Sequence, residues 1–459
     1  MTPADPPLFA VVGGGLTGLC AARALEASGR CRVILFEASD RVGGKLFTDN
    51  LAGMSIEGGA DSFLARETWA IDLCKELGLG DDLVRPAEYG ALIWTRSGLK
   101  PLPTGFLRGF PTSVKAAFKA QVLSTPGALR TLGDLLLPGP LTGPDVSLGD
   151  FTRKRFGSEL LEQLVDPVLA GTRAGRAEEI SLQAAAPEID RIARSNRSVM
   201  RGLRKMRAEG ELESGAPPFF TLRSGMQTLT DRLAASLEST ELRTGTRVTQ
   251  LTREDGGVSL TTEEDRSSVS GVVLAVPAFV AANLLTGVAP SAAEAIGQIE
   301  YASVAGVSLV FDGDADSLPV GSGFLVPRSA HRSISACTWF SKKWPQHATQ
   351  RDRISVRCFI GRAGRESLLE QPDQGLIAAA ISDLRDAVGL HSAPIEARVT
   401  RWDRSLPQYR VGHLSVVESA EEGLASLPIE LAGAGYRGSG IPDCIRQGTD
   451  AARRLIHHL

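Results

Sequence analysis

"FAVVGGGLTGLCAARALEASG", Phe9 to Gly29, decides the fold. An apolar run meets three glycines, and the glycines lead into Leu, Cys and Ala at helical spacing, so the pattern is strand, tight turn, helix. In that setting Gly13, Gly15 and Gly18 form G-x-G-x-x-G. The first permits the turn, the second admits backbone to a pyrophosphate, and the third lets the helix pack closely; the helix N-terminus adds the positive end of its dipole. "RVILFEAS" reads as the next strand, and Glu37 at its end lies about twenty residues beyond the turn, placed to bind a ribose hydroxyl. Together these make the first half of a dinucleotide-binding fold, parallel strands joined by a helical crossover.

Working outward, 459 residues exceed one ordinary core, so two or three domains are expected. Hydrophobic residues at 43% and charged residues at 22% are globular values that exclude a disordered or collagen-like chain. Lys and Arg number 50 against 53 Asp and Glu, a net charge of -3, so no polycationic surface is offered to nucleic acid or to an anionic membrane. Cys20, Cys31, Cys74, Cys337, Cys358 and Cys444 form no CxxC pair and have no His at metal spacing. They read as reduced thiols, with neither a metal site nor a disulfide framework. "MTPADPPLFAVVGGG" has no Lys or Arg before its apolar run and no small-residue cleavage site, which argues for a cytoplasmic protein. The uncharged stretch Gly271 to Ala289 is divided by Pro277, so it reads as a buried strand followed by a helix and not as a membrane span.

Thr68 to Leu79 predicts a helix closed by Gly80, and Ala91 to Pro103 a hairpin turning at Ser97-Gly98. From Ser113 to about Arg207 the pattern is mainly helical, broken by "LLLPGPLTGPDVS". Within it Arg191, Arg194, Arg197, Arg201, Arg204 and Lys205 recur along one helical face, read as a solvated face with anionic lipid or a partner as the alternative. "LRTGTRVTQLTRE", "GVSLTTEE" and "GVVLAVP" read as a meander plus one buried strand, with further strands at Ala302 to Phe311, Ser333 to Phe340 and Arg353 to Ile360. "LIAAAISDLRDAVGL" is an amphipathic helix. "IELAGAGY" is the last strand before a closing helix. No internal repeat is present.

A dinucleotide half-fold that is completed at the far end of the chain implies a discontinuous domain. The expected fold class is α/β in that part and α+β overall: a Rossmann-like nucleotide domain with an inserted substrate domain and a helical domain. The nucleotide domain is expected from 1–80, 216–298 and 401–459. Residues 81–215 form a mainly helical domain on the substrate or membrane side, and 299–400 a substrate-binding sheet.

"EASDRVGGKLFT" carries Arg41, Gly43 and Gly44 just after Glu37, and "EGGADSF", Glu57 to Phe63, gives another close backbone approach. In the tail "LAGAGYRGSGIPDCIRQG", Gly433, Gly435, Gly438 and Gly440 let backbone lie against a ligand. Pro442 and Asp443 then suit the first turn of a helix whose N-terminus would stabilise negative charge.

With "GGGLTGL", "EASDRVGGKL", "GGADSFLAR", "TLRSGMQTL", "VVLAVPA", "CTWFSKKWP", "RWDRSLPQYRVGH" and "GSGIPDCIRQG", the sequence over nearly its whole length resembles the oxygen-dependent porphyrinogen oxidases. This family of coproporphyrinogen III and protoporphyrinogen oxidases lies in the amine-oxidase flavoprotein superfamily. "GFPTS" and "CTWFSKKWP" look closer to the coproporphyrinogen branch. The resemblance implies non-covalent FAD held at Gly13, Gly14, Gly15, Leu16, Thr17 and Gly18, at Glu37, Ala38, Arg41, Gly44 and Lys45, and at Gly59, Ala60, Asp61 and Ser62. It further implies contacts at Val248, Trp402, Ser439, Gly440 and Ile441. No metal is implied.

It also implies six-electron oxidation of coproporphyrinogen III to coproporphyrin III in haem biosynthesis, with dioxygen as acceptor and hydrogen peroxide as by-product. Alternatives are protoporphyrinogen IX oxidation, another flavin amine oxidase or desaturase, and a non-catalytic FAD- and porphyrin-binding protein. Expected partners are porphyrinogen and dioxygen, with a ferrochelatase as a candidate receiver of the product and at most peripheral contact with the inner face of the membrane. Two residues depart from the pattern: Arg173, where a hydrophobic or aromatic side chain is expected, and Glu67, where many relatives look basic. If Arg173 faces the cleft it pairs with a substrate propionate; if it faces solvent it says nothing. Trp339, Phe340, Trp344 and Trp402 are read as core residues or as a stack for a flat macrocycle. His413 has no nucleophile partner, and no general base is assigned.

Overall fold

The computed structural model describes residues 6–137, 139–209, 219–347 and 352–457. Its organising feature is a parallel sheet of five strands in the order Glu241–Arg243, Arg32–Phe36, Leu8–Val12, Gly271–Leu274 and Ile429–Leu431. The register runs Ala10 beside Ile34 on one side and Val272 on the other. Strands buried on both faces must be apolar throughout, which is why "FAVV", "VILF" and "GVVL" carry no alternation.

The crossover helix Leu16–Ala27 and the closing helix Ile441–His457 pack on one face of this sheet. They approach so closely that a β-carbon on Gly448 would lie 2.2 Å from the Thr17 carbonyl oxygen. The other face is covered by the helices Ala278–Leu285, Pro290–Gly297 and His413–Leu424, whose Ala281, Ala292 and Ala420 are fully buried.

A second sheet of seven strands has the order Glu396–Pro407, Tyr301–Asp312, Arg353–Ile360, Ile334–Trp339, Gly323–Leu325, Leu92–Thr95 and Gly98–Pro101. The helix Asp373–Val388 covers its apolar face through Leu376, Ala380 and Leu384. The strand Glu396–Pro407 runs across the boundary expected between residues 400 and 401, and the hairpin Leu92–Pro101 belongs to this sheet. Register, not local composition, decides which sheet a strand joins. A helical layer built around Phe110, Phe156, Leu164 and Leu203 flanks the sheet.

Three expectations change. The strand Glu241–Arg243 extends the parallel sheet beside Arg32–Phe36, so the meander consists of Gln250–Glu254, Gly257–Thr261 and Arg266–Val269. The helix Trp69–Glu76 ends at Gly78, φ 74°, and not at Gly80, because Gly78 takes the left-handed conformation that terminates a helix. The basic face is split between Pro187–Ser195 and Val199–Ala208. Asn196 is extended, and the Ser198 side chain caps the second helix by accepting from the Arg201 N–H at 3.2 Å. Arg194 turns back onto Asp190 at 2.9 Å, while the other five basic residues are exposed. Gly271 to Ala289 is a strand and a helix as expected, and no helix among the described residues is long and apolar enough to cross a membrane.

Candidate cofactor and substrate site

The three glycines of the opening turn occupy three different environments. Gly13 has φ 106°, and its N–H donates to the Phe36 carbonyl at 2.8 Å. A β-carbon on Gly18 would lie 1.8 Å from the Gly13 carbonyl oxygen, so only glycine lets the helix sit there. Around Gly15 there is no protein atom within 4 Å of a β-carbon position. Gly15 is also the N-cap of the crossover helix and brings no side-chain cap, with Leu16 and Thr17 in the first turn. Free space against uncapped N–H groups at a helix start is the environment a pyrophosphate requires.

Glu37 follows the second strand directly. One carboxylate oxygen accepts from the Gly14 N–H at 2.7 Å, and the other from the Ser39 N–H and hydroxyl at 2.9 and 2.7 Å. The carboxylate is thus fixed at the mouth of the turn, with Ala38 exposed beside it. Thr246 N–H donates to the Glu37 carbonyl at 2.9 Å, which brings the buried Val248 to this end of the cleft. The Gly43 N–H donates to the Gly14 carbonyl at 2.8 Å, and a β-carbon on Gly44 would lie 3.2 Å from Gly15 Cα, so the two glycine turns touch. Arg41 braces its own loop, donating to the Gly44 carbonyl at 2.7 Å and the Val42 carbonyl at 3.1 Å. Lys45 Nζ donates to the Ser405 carbonyl, and burial lowers its pKa.

Glu57 to Ser62 forms a strap between this turn and the second sheet. A β-carbon on Gly59 would lie 1.7 Å from the Lys45 carbonyl oxygen. On the sheet side, Trp402 Nε1 donates to the Gly58 carbonyl at 2.7 Å, and Arg357 donates to the Gly58 and Gly59 carbonyls at 2.6 and 2.5 Å. A bulge between Ala302 and Val304 and the left-handed Arg404, φ 43°, mark the irregular stretch that offers Trp402 and the Ser405 carbonyl to the two cofactor-side loops. Beyond Ala60, the Asp61 carboxylate turns to the sheet, accepting from Lys343 Nζ at 2.8 Å, Trp344 Nε1 at 3.2 Å and the Ser62 hydroxyl at 2.8 Å. Burial opposes its ionisation, but Lys343 and these hydrogen bonds outweigh it and hold the pKa at about 2. Glu57 goes the other way: burial pushes its carboxyl up to about 7, against the hydrogen bonds from Met226 N–H and the Thr48 hydroxyl.

At the opposite end lies the glycine-rich tail. Ser439 and Gly440 precede the closing helix, which starts at Ile441 with its N-terminus facing this loop; the Gly440 N–H donates to Asp443 at 3.3 Å. Tyr409 is the brace: its hydroxyl donates to the Ala434 carbonyl at 2.6 Å and accepts from the Gly438 N–H at 3.1 Å. Arg173 lies over the Tyr409 ring at 4.6 Å, and His413 stacks on that ring at 4.1 Å. Arg173 Nη1 is buried without a hydrogen-bond partner. His413 Nε2 pairs with the Tyr436 carbonyl at 2.8 Å, and burial lowers its pKa to about 4, so it is neutral at pH 7.

The sequence-expected residues of the opening turn, the Glu37 loop, the strap and Trp402 thus come together. Arg41 and the Asp61 side chain are engaged within the protein. Trp339, Phe340 and Trp344 are core residues, at most 1% exposed, and Glu67 is exposed. Sequence reasoning missed Arg357, Lys343 and Tyr409. The last two lie inside quoted motifs, "CTWFSKKWP" and "RWDRSLPQYRVGH", and Arg357 is signalled only as the second of two arginines in the strand "RISVRCFI".

Comparison with known proteins fits this geometry. The model of the family described as flavin containing amine oxidoreductase matches residues 16–456. The coproporphyrinogen III oxidase of Bacillus subtilis (strain 168) is 34% identical over 462 residues, covering 98% of both chains. That of Mycobacterium tuberculosis (strain ATCC 25618 / H37Rv) is 35% identical over 460 residues, covering 99% of this chain and 98% of its own. A crystal structure from Exiguobacterium sp. 255-15, provisionally named protoporphyrinogen oxidase, superposes with TM-score 0.89 at 31% identity, covering 99% of this chain and all of that one. Two full-length likenesses above 30% identity and a family match over nearly every residue make this chain an oxidoreductase of the flavin-containing amine oxidoreductase family.

Proposed function

We propose that the protein binds FAD non-covalently and oxidises coproporphyrinogen III to coproporphyrin III, with dioxygen as the final acceptor and hydrogen peroxide as by-product. The observation that carries the reading is the full-length likeness, above 30% identity, to proteins named coproporphyrinogen III oxidase, on a chain whose open Gly15 turn and fixed Glu37 carboxylate suit a dinucleotide.

In this reading Gly15 to Gly18 take the pyrophosphate, Glu37 the adenosine ribose, and Val248 the adenine side. Gly44 and Lys45 line the middle of the cofactor, and Gly59 to Ser62 with Trp402 line the ring. Ser439, Gly440 and Ile441 set the dipole of the closing helix toward the ring's electron-rich end. The flavin when bound supplies two-electron acceptance and transfer to dioxygen. The chain's own residues orient the substrate, exclude water and pair its carboxylates. Cys444, in the first turn of the closing helix, has its thiol pushed up by burial to about 11, a protonated thiol unsuited to forming a covalent link.

Removing six electrons and six protons from the non-aromatic macrocycle gives an aromatic product, and that gain supplies much of the driving force, so no protein base is assigned. Arg173 is the proposed carboxylate anchor: its buried Nη1 lacks an acceptor, and a propionate supplies one with a charge-assisted bond. Coproporphyrinogen has four propionates and protoporphyrinogen two, so Arg173 anchors one propionate of either, and the choice between them rests on the likeness to the coproporphyrinogen III oxidases.

The test is to incubate FAD-loaded protein in air with each freshly reduced porphyrinogen and follow porphyrin fluorescence above the enzyme-free rate. Faster turnover of coproporphyrinogen III is expected. Preference for protoporphyrinogen IX overturns the substrate assignment, and no acceleration of either overturns the activity.

A further inference from the structure

Arg357 is 4% exposed and makes no ion pair among the described residues. Its guanidinium instead bonds two consecutive carbonyls of the strap, Gly59 at 2.5 Å through Nη1 and Gly58 at 2.6 Å through Nη2. Space for it is made by Gly306 on the neighbouring strand, where a β-carbon would lie 3.0 Å from Nε and Nη2, and its plane stacks over Phe359 at 4.8 Å. Trp402 Nε1 adds a second donor to the Gly58 carbonyl. A buried, permanent cation is costly to desolvate; the carboxylates of Asp61 and Glu57 offset part of that cost from a distance, but the hydrogen bonds of the guanidinium all go to neutral carbonyls.

Peptide planarity gives this arrangement a consequence. In a trans peptide the carbonyl and the following N–H point in opposite directions. Turning the Gly58 and Gly59 carbonyls onto Arg357 therefore turns the Gly59 and Ala60 N–H groups to the other side of the strap. Neither N–H has a backbone or side-chain acceptor among the described residues. A peptide whose carbonyl is bound to a cation is also a stronger N–H donor, because hydrogen-bonded groups in series polarise one another.

We infer that Arg357 is a positioning residue for the flavin: it fixes two peptide planes of the strap so that two polarised N–H donors face the ligand. It thereby sets how tightly flavin is held and how strongly its electron-rich reduced form is favoured. This rests on FAD occupying the proposed site. Trp402 assists by fixing the first plane, and the guanidinium never touches the cofactor.

The experiment compares the wild-type chain with Arg357→Lys, Arg357→Met and Trp402→Phe. It measures FAD affinity of the stripped protein by fluorescence quenching, and the reduction potential of the bound flavin by equilibration with a reference dye. Far-UV circular dichroism scores folding. Arg357→Met is expected to weaken FAD binding about tenfold or more, the scale of a charge-assisted hydrogen bond. It is further expected to weaken binding of reduced flavin about tenfold beyond that, a fall of about 30 mV for a two-electron couple.

Arg357→Lys keeps the charge but bonds one carbonyl and should fall between. Trp402→Phe, which leaves the buried cation in place, should lower affinity and potential in the same direction by less. Because Trp402 itself lines the proposed ring site, Arg357→Lys decides the matter should Arg357→Met not fold. A folded Arg357→Met with wild-type affinity and potential, or wild-type affinity and potential in Arg357→Lys where Arg357→Met is unfolded, overturns the inference alone. A wild-type chain that takes up no FAD overturns the cofactor reading and the inference with it.

Discussion

Replacing Glu57 with Gln should make the protein more stable at neutral pH, although it removes a buried charge-bearing group at the start of the strap. The Glu57 side chain is 1% exposed, and its two oxygens accept from the Met226 N–H at 2.8 Å and the Thr48 hydroxyl at 2.9 Å. Burial raises its carboxyl from 4.5 to about 7. Between those values the folded chain holds a proton that the unfolded chain has released, so stability from this group is greatest in acid and declines as pH rises toward 7. Integrated from pH 5 to pH 8, the two pKa values correspond to about 2.5 kcal/mol lost by the wild type.

Glutamine keeps an oxygen for Met226 and presents its amide to the Thr48 hydroxyl oxygen, and it does not titrate. Urea unfolding of both proteins at equal free FAD, at pH 5, 6, 7 and 8, reads the difference directly, because every other titrating group is common to both and cancels. The stability of Glu57→Gln relative to wild type should climb by about 2.5 kcal/mol across that range. Parallel stability curves for the two proteins would refute the reasoning.

Three further outcomes follow from the same geometry. Gly15→Val should abolish FAD uptake while far-UV circular dichroism stays wild-type, because Gly15 has φ -71° and no protein atom near its β-carbon position, whereas Gly18→Val should prevent folding by collision with the Gly13 carbonyl. Arg173→Leu should raise KM for coproporphyrinogen III roughly tenfold to a hundredfold with FAD affinity unchanged, the value of one charge-assisted hydrogen bond; an unchanged KM in steady-state assays removes Arg173 from the site. Asp134 is fully buried and accepts from Arg155 at 2.9 Å, the Ser198 hydroxyl at 2.7 Å and the Met200 N–H at 2.9 Å. Asp134→Ala therefore strands a buried guanidinium, and denaturant unfolding should show a loss of about 3–5 kcal/mol.

The nucleotide half of the site was legible because its chemistry is local in sequence. A phosphate-binding turn needs a strand, glycines at fixed offsets and a helix start, all within one stretch, and Gly13 to Gly18 fall into the three environments their spacing foretells. Glu37, Gly44 and the strap at Gly59 are likewise read from backbone constraints that glycine and strand ends announce. Arg357 and Lys343 escaped because their partners lie about 300 residues away in sequence, and an Arg within a strand is compatible with either face of a sheet. Arg41 looks equally functional in sequence, yet its guanidinium closes its own loop.

The sequence by itself determined the parallel nucleotide sheet, the crossover helix and the need for the two chain ends to meet, since apolar patterning and glycine spacing are properties of the chain; the flavin class came from the resemblance of its motifs to a known family. Only the tertiary structure decided which sheet takes the strands Glu241–Arg243 and Glu396–Pro407, that Asp61 points to Lys343, that Arg173 lies on Tyr409, and that Arg357 grips the strap. These are outcomes of register and of buried polar groups finding partners. A buried donor must be satisfied by whichever acceptor the packed fold brings within reach, and that acceptor has no fixed place in the sequence.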